Sequence, residues 1–156
     1  MANIAQVVNV LQSMILTNAT QMVLTPTYYA FKMCNVHQNA EYLSSDISQK
    51  GIPADFKSFT VPSVDVTASR KNGVMHISLV NTVLDKAQKV SVSFDGQNAV
   101  SKVLSAEVLT SKDVRDHNDF SSPDAVKPED FKDFNLSNGT LTVTLPPFSI
   151  LSIALR

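Results

Sequence analysis

A chain of 156 residues, 44 % hydrophobic and 17 % charged, has enough material for one well-buried core and carries no tract polar enough to stay unfolded on composition alone. The 13 basic and 14 acidic residues nearly cancel, to a net charge of −1, and no basic stripe interleaves with aromatics, which argues against nucleic acid as a partner. Cys34 is the only cysteine, so no disulfide forms within the chain and the thiol is expected in the core; 4 glycines are too few for a phosphate-cradling loop.

In chain order, Ile4, Val7, Val8, Leu11, Met14 and Ile15 fall on one face of a helix. Their β-branched content fits a strand as well, so both conformations are open for residues 2–16. Asn9, Gln12 and Ser13 interrupt the apolar run, which is neither a signal peptide nor a membrane span. Thr25-Pro26 starts a helix, with the threonine as N-cap and the proline in the first helical position. That helix is expected to run to about Ala40 and to bury Tyr29, Met33 and Val36. Tyr28, Tyr29 and Phe31 put aromatic rings on more than one side of it, so it should pack against two partners.

From about Phe56 the apolar period becomes two. Val64, Val66 and Ala68 form one inward face and Met75, Ile77 and Leu79 another, joined by the hairpin signal Lys71-Asn72-Gly73. Val90, Val92 and Phe94 make a third strand ending at Asp95-Gly96, and residues 102–110 make a fourth. Phe134 to Leu136, a turn at Asn138-Gly139, then Leu141, Val143 and Leu145, and lastly Ser149 to Leu155 complete the set. Pro146-Pro147 breaks the last run, because proline lacks the amide donor a ladder needs; the chain should change sheet there. Short strands with turns roughly every ten residues describe a mainly β, antiparallel sandwich.

Residues 116–128 are polar and punctuated by proline, a long stretch for a compact domain unless it binds something or packs as a cover. Asp113, Asp116, Asp119, Asp124, Glu129, Asp130 and His117 offer oxygen and nitrogen ligands, but their spacing matches no cation loop with fixed ligand positions. The plainer reading is a loop capped by the Asn118 and Asp119 side chains, with Phe120 and Val126 anchored in the sandwich and Pro123 and Pro128 restricting the backbone. His37 reads as a helix-end residue and His76 as an outward strand residue. No metal site and no cofactor are expected.

The pattern His117-Asn118-x-Phe120-x-x-Pro123-x-x-Val126-x-Pro128 resembles the C-terminal region of α-L-arabinofuranosidases of glycoside hydrolase family fifty-one. Ala5-Gln6-Val7-Val8-Asn9-Val10-Leu11, the stretch from Leu24-Thr25-Pro26 to Gln38-Asn39-Ala40, and Pro146-Pro147-Phe148-Ser149 are similar to that family in the same order. The resemblance implies a jelly-roll-like β-sandwich at residues 51–156. Before it, residues 1–50 would be the end of a (β/α)8 catalytic barrel, its last strand or loop and a helix. It also implies that a strand from the parent's N-terminal part helps complete the sandwich, leaving an open sheet edge without it.

In this family two glutamates on earlier barrel strands carry out retaining hydrolysis, which needs carboxyl groups about 5–5.5 Å apart. Glu41, Glu107 and Glu129 are the only glutamates here and none stands in that context, so no catalytic residue is expected in this chain. Gln6, in the Ala-Gln-apolar-apolar-Asn motif, is the residue the resemblance places near the sugar in the parent's pocket. The expected partners are the parent barrel, an arabinose-containing polysaccharide or oligosaccharide bound through it, and further copies of the chain through residues 2–40; a membrane is not expected. The alternative is a carbohydrate-binding β-sandwich module, weakened by the absence of tryptophan. Cytoplasmic, periplasmic and secreted locations are not distinguished.

Overall fold

The computed structural model describes residues 3–11, 13–48, 52–53, 60–95 and 100–156. Its elements in order are β1 (Ile15–Thr17), β2 (Met22–Leu24), helix α1 (Pro26–Cys34), a 3₁₀ turn (Asn35–His37), β3 (Glu41–Leu43), β4 (Ile52–Pro53), β5 (Thr60–Val61), β6 (Val64–Lys71), β7 (Val74–Asn81), β8 (Gln88–Ser93), β9 (Val103–Leu109), β10 (Glu129–Asp130), β11 (Phe134–Ser137), β12 (Thr140–Leu145) and β13 (Ser149–Leu155). Six strands form one antiparallel sheet in the order β10-β9-β13-β7-β6-β3, and three form a second in the order β11-β12-β8. β1 pairs with β2 and β4 with β5.

The period-two patterns become the inner faces of the two sheets. Leu79, Leu151, Ile153 and Leu155 from the large sheet meet Leu141, Val143 and Leu145 from the small one in a single buried core, with Val90, Val92 and Phe134 around it. Asn72 and Gly73, with φ of 53° and 74°, close the β6–β7 hairpin; Asn138 and Gly139, at 49° and 71°, close β11–β12. Paired positive φ angles give the turn whose twist suits a two-residue hairpin. β12 ends at Leu145 in the small sheet and β13 begins at Ser149 in the large one, so the Pro146-Pro147 step is where the chain crosses between layers. Asn81, buried beside the crossing, donates its side-chain amide to the Pro146 carbonyl at 2.7 Å and to the Lys86 carbonyl at 3.0 Å.

The outer face of the large sheet is covered as well. Met33 of α1 packs with Leu109 and Val126 in a second buried cluster that also takes in Tyr29, Ala30 and Ile150. Thr25 caps α1 as expected, accepting from the Tyr28 amide, with Pro26 first in the helix. The α-helix stops at Cys34 rather than near Ala40, because the chain tightens into the 3₁₀ turn and must extend again by Glu41 to join the sheet edge as β3. Met33 is buried, but Tyr29 and Val36 are only half-buried and Cys34 is exposed rather than a core thiol. Residues 3–11 and 13–16 form neither a helix nor a continuous strand: they make bends, one bridge and the start of β1. The expectations at Ala2, Gln12, Phe56 and Gly96 fall outside the described residues.

The 3₁₀ turn is held to the sheet by a histidine. His37 Nδ1 lies 2.7 Å from Ser69 Oγ and Nε2 lies 2.8 Å from Ser78 Oγ, so one hydroxyl donates to the bare ring nitrogen and the other accepts from the ring N–H. Burial first, and neighbouring His76 second, keep the His37 imidazole below its ordinary pKa of 6.5; burial, then Lys71, do the same for His76. Both rings therefore remain neutral in the folded chain at pH values where the unfolded chain already binds protons. Their contribution to stability is complete above pH 6.5 and is lost as the pH falls below it. Thermal unfolding followed from about pH 7.5 down to about pH 5.5 should give a falling midpoint, and His37→Asn should flatten the slope. A midpoint that rises over that range contradicts this account.

Candidate functional site

The residues singled out by the sequence lie in two places that the fold joins: the segment around Gln6 and the long loop. Gln6 is exposed. Directly after it the chain folds back on itself, with the Val7 carbonyl accepting from the amides of Met14 and Ile15, each at 3.0 Å, and a parallel bridge joining Val8 to Ile15. Asn9 has φ of 54°, and its side chain reaches β1: Oδ1 accepts from the Thr17 amide at 2.7 Å, while Nδ2 donates to the Thr17 carbonyl at 3.1 Å and hydroxyl at 2.9 Å.

β1 leads into β2 through a turn that Asn18 closes by accepting from the Thr20 and Gln21 amides. Thr25 then ties this hairpin to α1. Its amide donates to the Met14 carbonyl at 3.0 Å, its hydroxyl donates to the Ser13 carbonyl at 2.7 Å, and the same hydroxyl accepts from the Tyr28 amide. One small side chain thus serves as helix cap and as fastener for the hairpin.

The loop at residues 111–128 closes over this assembly. Asn118 is 2 % exposed, and its amide group meets three backbone groups: Nδ2 donates to the carbonyls of Leu24 and Val126, each at 2.8 Å, and Oδ1 accepts from the Val126 amide at 2.7 Å. Val126 is buried against Met33 and Leu109, as expected of an anchor. Phe120 is not one. It is 37 % exposed and belongs to neither buried cluster; beside it, the Asp119 carboxylate closes a turn by accepting from the Ser121 and Ser122 amides.

The loop's carboxylates serve the loop itself. Asp113 is held below the usual carboxylate range by its hydrogen bonds to Arg115, Asp116 by the Ser111 hydroxyl and the Asp113 amide, and Asp119 by Ser121 and Ser122. Among the described residues no three His, Cys, Asp or Glu side chains gather as metal ligands would. Glu41, Glu107 and Glu129 sit exposed on β3, β9 and β10. Among the described residues no strand pairs with the outer edge of β8, and a cleft of about 620 Å³ runs between the sheets there, lined by Leu43, Val66, Ile77, Val90, Val92 and Phe94 among others.

The arrangement is a packed platform from which the segment around Gln6 extends. The family model of the α-L-arabinofuranosidase C-terminal domain matches residues 1–149. The chain belongs to that family. An intracellular exo-α-L-arabinofuranosidase of Bacteroides ovatus is 48 % identical over 158 aligned residues, covering all of this chain and 30 % of that protein. The structure of a GH51 arabinofuranosidase from Xanthomonas axonopodis pv. citri superposes with a TM-score of 0.89 at 35 % identity, over 100 % of this chain and 31 % of that one. That of an α-L-arabinofuranosidase from Thermotoga maritima, in its arabinose complex, superposes with a TM-score of 0.81 at 25 % identity, over 96 % and 32 %. This arabinofuranosidase C-terminal domain therefore spans about a third of the length of these relatives.

The sequence pattern locates Gln6 and the loop but leaves Asn9, Thr25 and Asn118 without their full structural roles. The signal that could have found Asn118 is its place in the same motif as the buried Val126, eight residues away. Removing its side chain leaves the buried Val126 amide without an acceptor, a loss of about 1–3 kcal/mol. Asn118→Ala should lower the urea midpoint accordingly, and Asn118→Asp should lower it at least as far, because it turns a buried carboxylate oxygen against the Leu24 and Val126 carbonyls. Wild-type stability in Asn118→Ala would show that the loop is held by other means.

Proposed function

We propose that this domain is the non-catalytic C-terminal part of a retaining α-L-arabinofuranosidase that removes terminal arabinofuranosyl residues from arabinan or arabinoxylan. The family match over residues 1–149 carries this reading. Residues 1–50 close the catalytic barrel and residues 51–156 form the sandwich that buttresses it, with β3 already part of the sandwich's sheet before that boundary. Within the parent, the Gln6 amide faces the sugar in the barrel's pocket, where it can donate to one hydroxyl and accept from another. A strand from the parent's N-terminal part lies along the edge of β8 with which no described strand pairs.

Val7, Val8, Leu11 and Met22 are exposed, Leu11 at 95 %, as expected of a face that the barrel covers. Without the barrel, that face brings copies of the chain together. The chain alone should not hydrolyse an aryl α-L-arabinofuranoside, and should sediment as a concentration-dependent oligomer. Turnover by the pure chain would overturn the non-catalytic assignment; a monodisperse monomer at high concentration would overturn the covered face.

A further inference from the structure

We propose that Asn9 is a positioning residue for the arabinofuranosidase reaction, holding Gln6 at the height and angle at which its amide meets the sugar. This rests on the reading of Gln6 given above. What recommends Asn9 is the form of its contact with β1. Its amide reads both the N–H and the C=O of Thr17, as the backbone of a neighbouring strand would, and takes the Thr17 hydroxyl as well. One side chain therefore does the work of a ladder at the point where a real ladder stops: among the described residues, the backbone joins this segment to β1 around Val7, Val8 and Asn9 itself.

The backbone conformation fits the same purpose. Asn9 lies in the left-handed region at φ of 54°, which asparagine tolerates better than a branched residue. Asn72 and Asn138 share that region, but there it closes tight hairpins of the sandwich. At Asn9 it reverses the chain three residues after Gln6 and turns the amide back toward Thr17. The three bonds are solvent-exposed, where a hydrogen bond adds little to global stability because water offers a substitute. Their stronger effect is on direction: they fix where the segment carrying Gln6 leaves the hairpin. The fixing continues inward through Ile15 and Leu24, paired across β1 and β2, to Asn118 and the buried Val126.

The test is a double-mutant cycle in the enzyme that carries this domain, measuring kcat and KM on an aryl α-L-arabinofuranoside. Gln6→Ala should lower kcat/KM by about tenfold or more. Asn9→Gly keeps the left-handed backbone available and removes the amide; it should lower kcat/KM in the same direction and add almost nothing on top of Gln6→Ala, because both act through one contact. Asn9→Asp, which retains the acceptor for the Thr17 amide, should recover part of the loss, and the melting temperature should stay near wild type throughout. Thr17→Val, which removes one acceptor and leaves Asn9 intact, gives a milder second reading should Asn9→Gly fold poorly. If Gln6→Ala leaves kcat/KM unchanged, the role of Gln6 fails and the proposal with it. If Gln6→Ala is impaired while Asn9→Gly is not, or the two losses multiply, Gln6 keeps its role and Asn9 is no more than a turn residue.

Discussion

The side chain of Asn118 occupies a place that water cannot reach and closes three backbone groups there: the carbonyl of Leu24, and both the carbonyl and the amide of Val126. Left unmet in a buried setting, such groups cost more than their hydrogen bonds contribute when made. The loop therefore cannot lift without exposing them, and the β1–β2 hairpin cannot swing away from the sandwich without losing its Leu24 contact. A stretch of chain that looks like an excursion between β9 and β10 is in this way the strap between the two parts of the domain.

β13 makes that strap possible by burying residues on both of its faces. Leu151, Ile153 and Leu155 fill the core between the sheets, while Ile150 turns outward to meet Met33 and Val126. A central strand with apolar side chains on one face and an apolar foothold on the other lets a helix and a loop share a sheet that already has its own core. Next to that foothold the outer face is polar and is satisfied in kind, with His37 bonded to Ser69 and Ser78. Nonpolar burial fixes one end of the helical segment and a neutral imidazole fixes the other.

The sandwich was legible because its strands lean on the simplest rule available, alternation of apolar and polar residues closed by Asn-Gly turns; β12 follows it residue for residue and β6 from Val64 to Ser69. The sheet change at Pro146-Pro147 was legible for an equally local reason, the missing amide. Residues 3–17 were not. Their apolar spacing suits a helix, but the conformation is decided by distant partners: Thr17 for Asn9, Thr25 for Ser13 and Met14, and Asn118 for Leu24. β1 and β2 are 3 residues each and are joined by a turn that contains no glycine or proline, so no local signal marks them. Phe120 misled for the opposite reason, because an aromatic residue in a loop suggests an anchor, and only the packed structure shows that it joins neither buried cluster. Of the candidate site, the identity of Gln6 came from a motif, and the contacts of the segment that follows it came from tertiary structure that periodicity cannot express.

In the role we propose for it, this domain holds a segment in place: the sandwich supplies the rigid body, Asn118 the fastening, and the hairpin the arm that ends near Gln6. The claim underneath is that arm and body open together. Native-state hydrogen exchange measures this directly, through the amide of Thr25 in the arm and that of Val126 under the loop, both of which donate to identified acceptors. The two should exchange with similar opening free energies and respond together to low urea. Rapid exchange at Thr25 while Val126 stays protected would mean that the arm moves independently of the sandwich, and would contradict this.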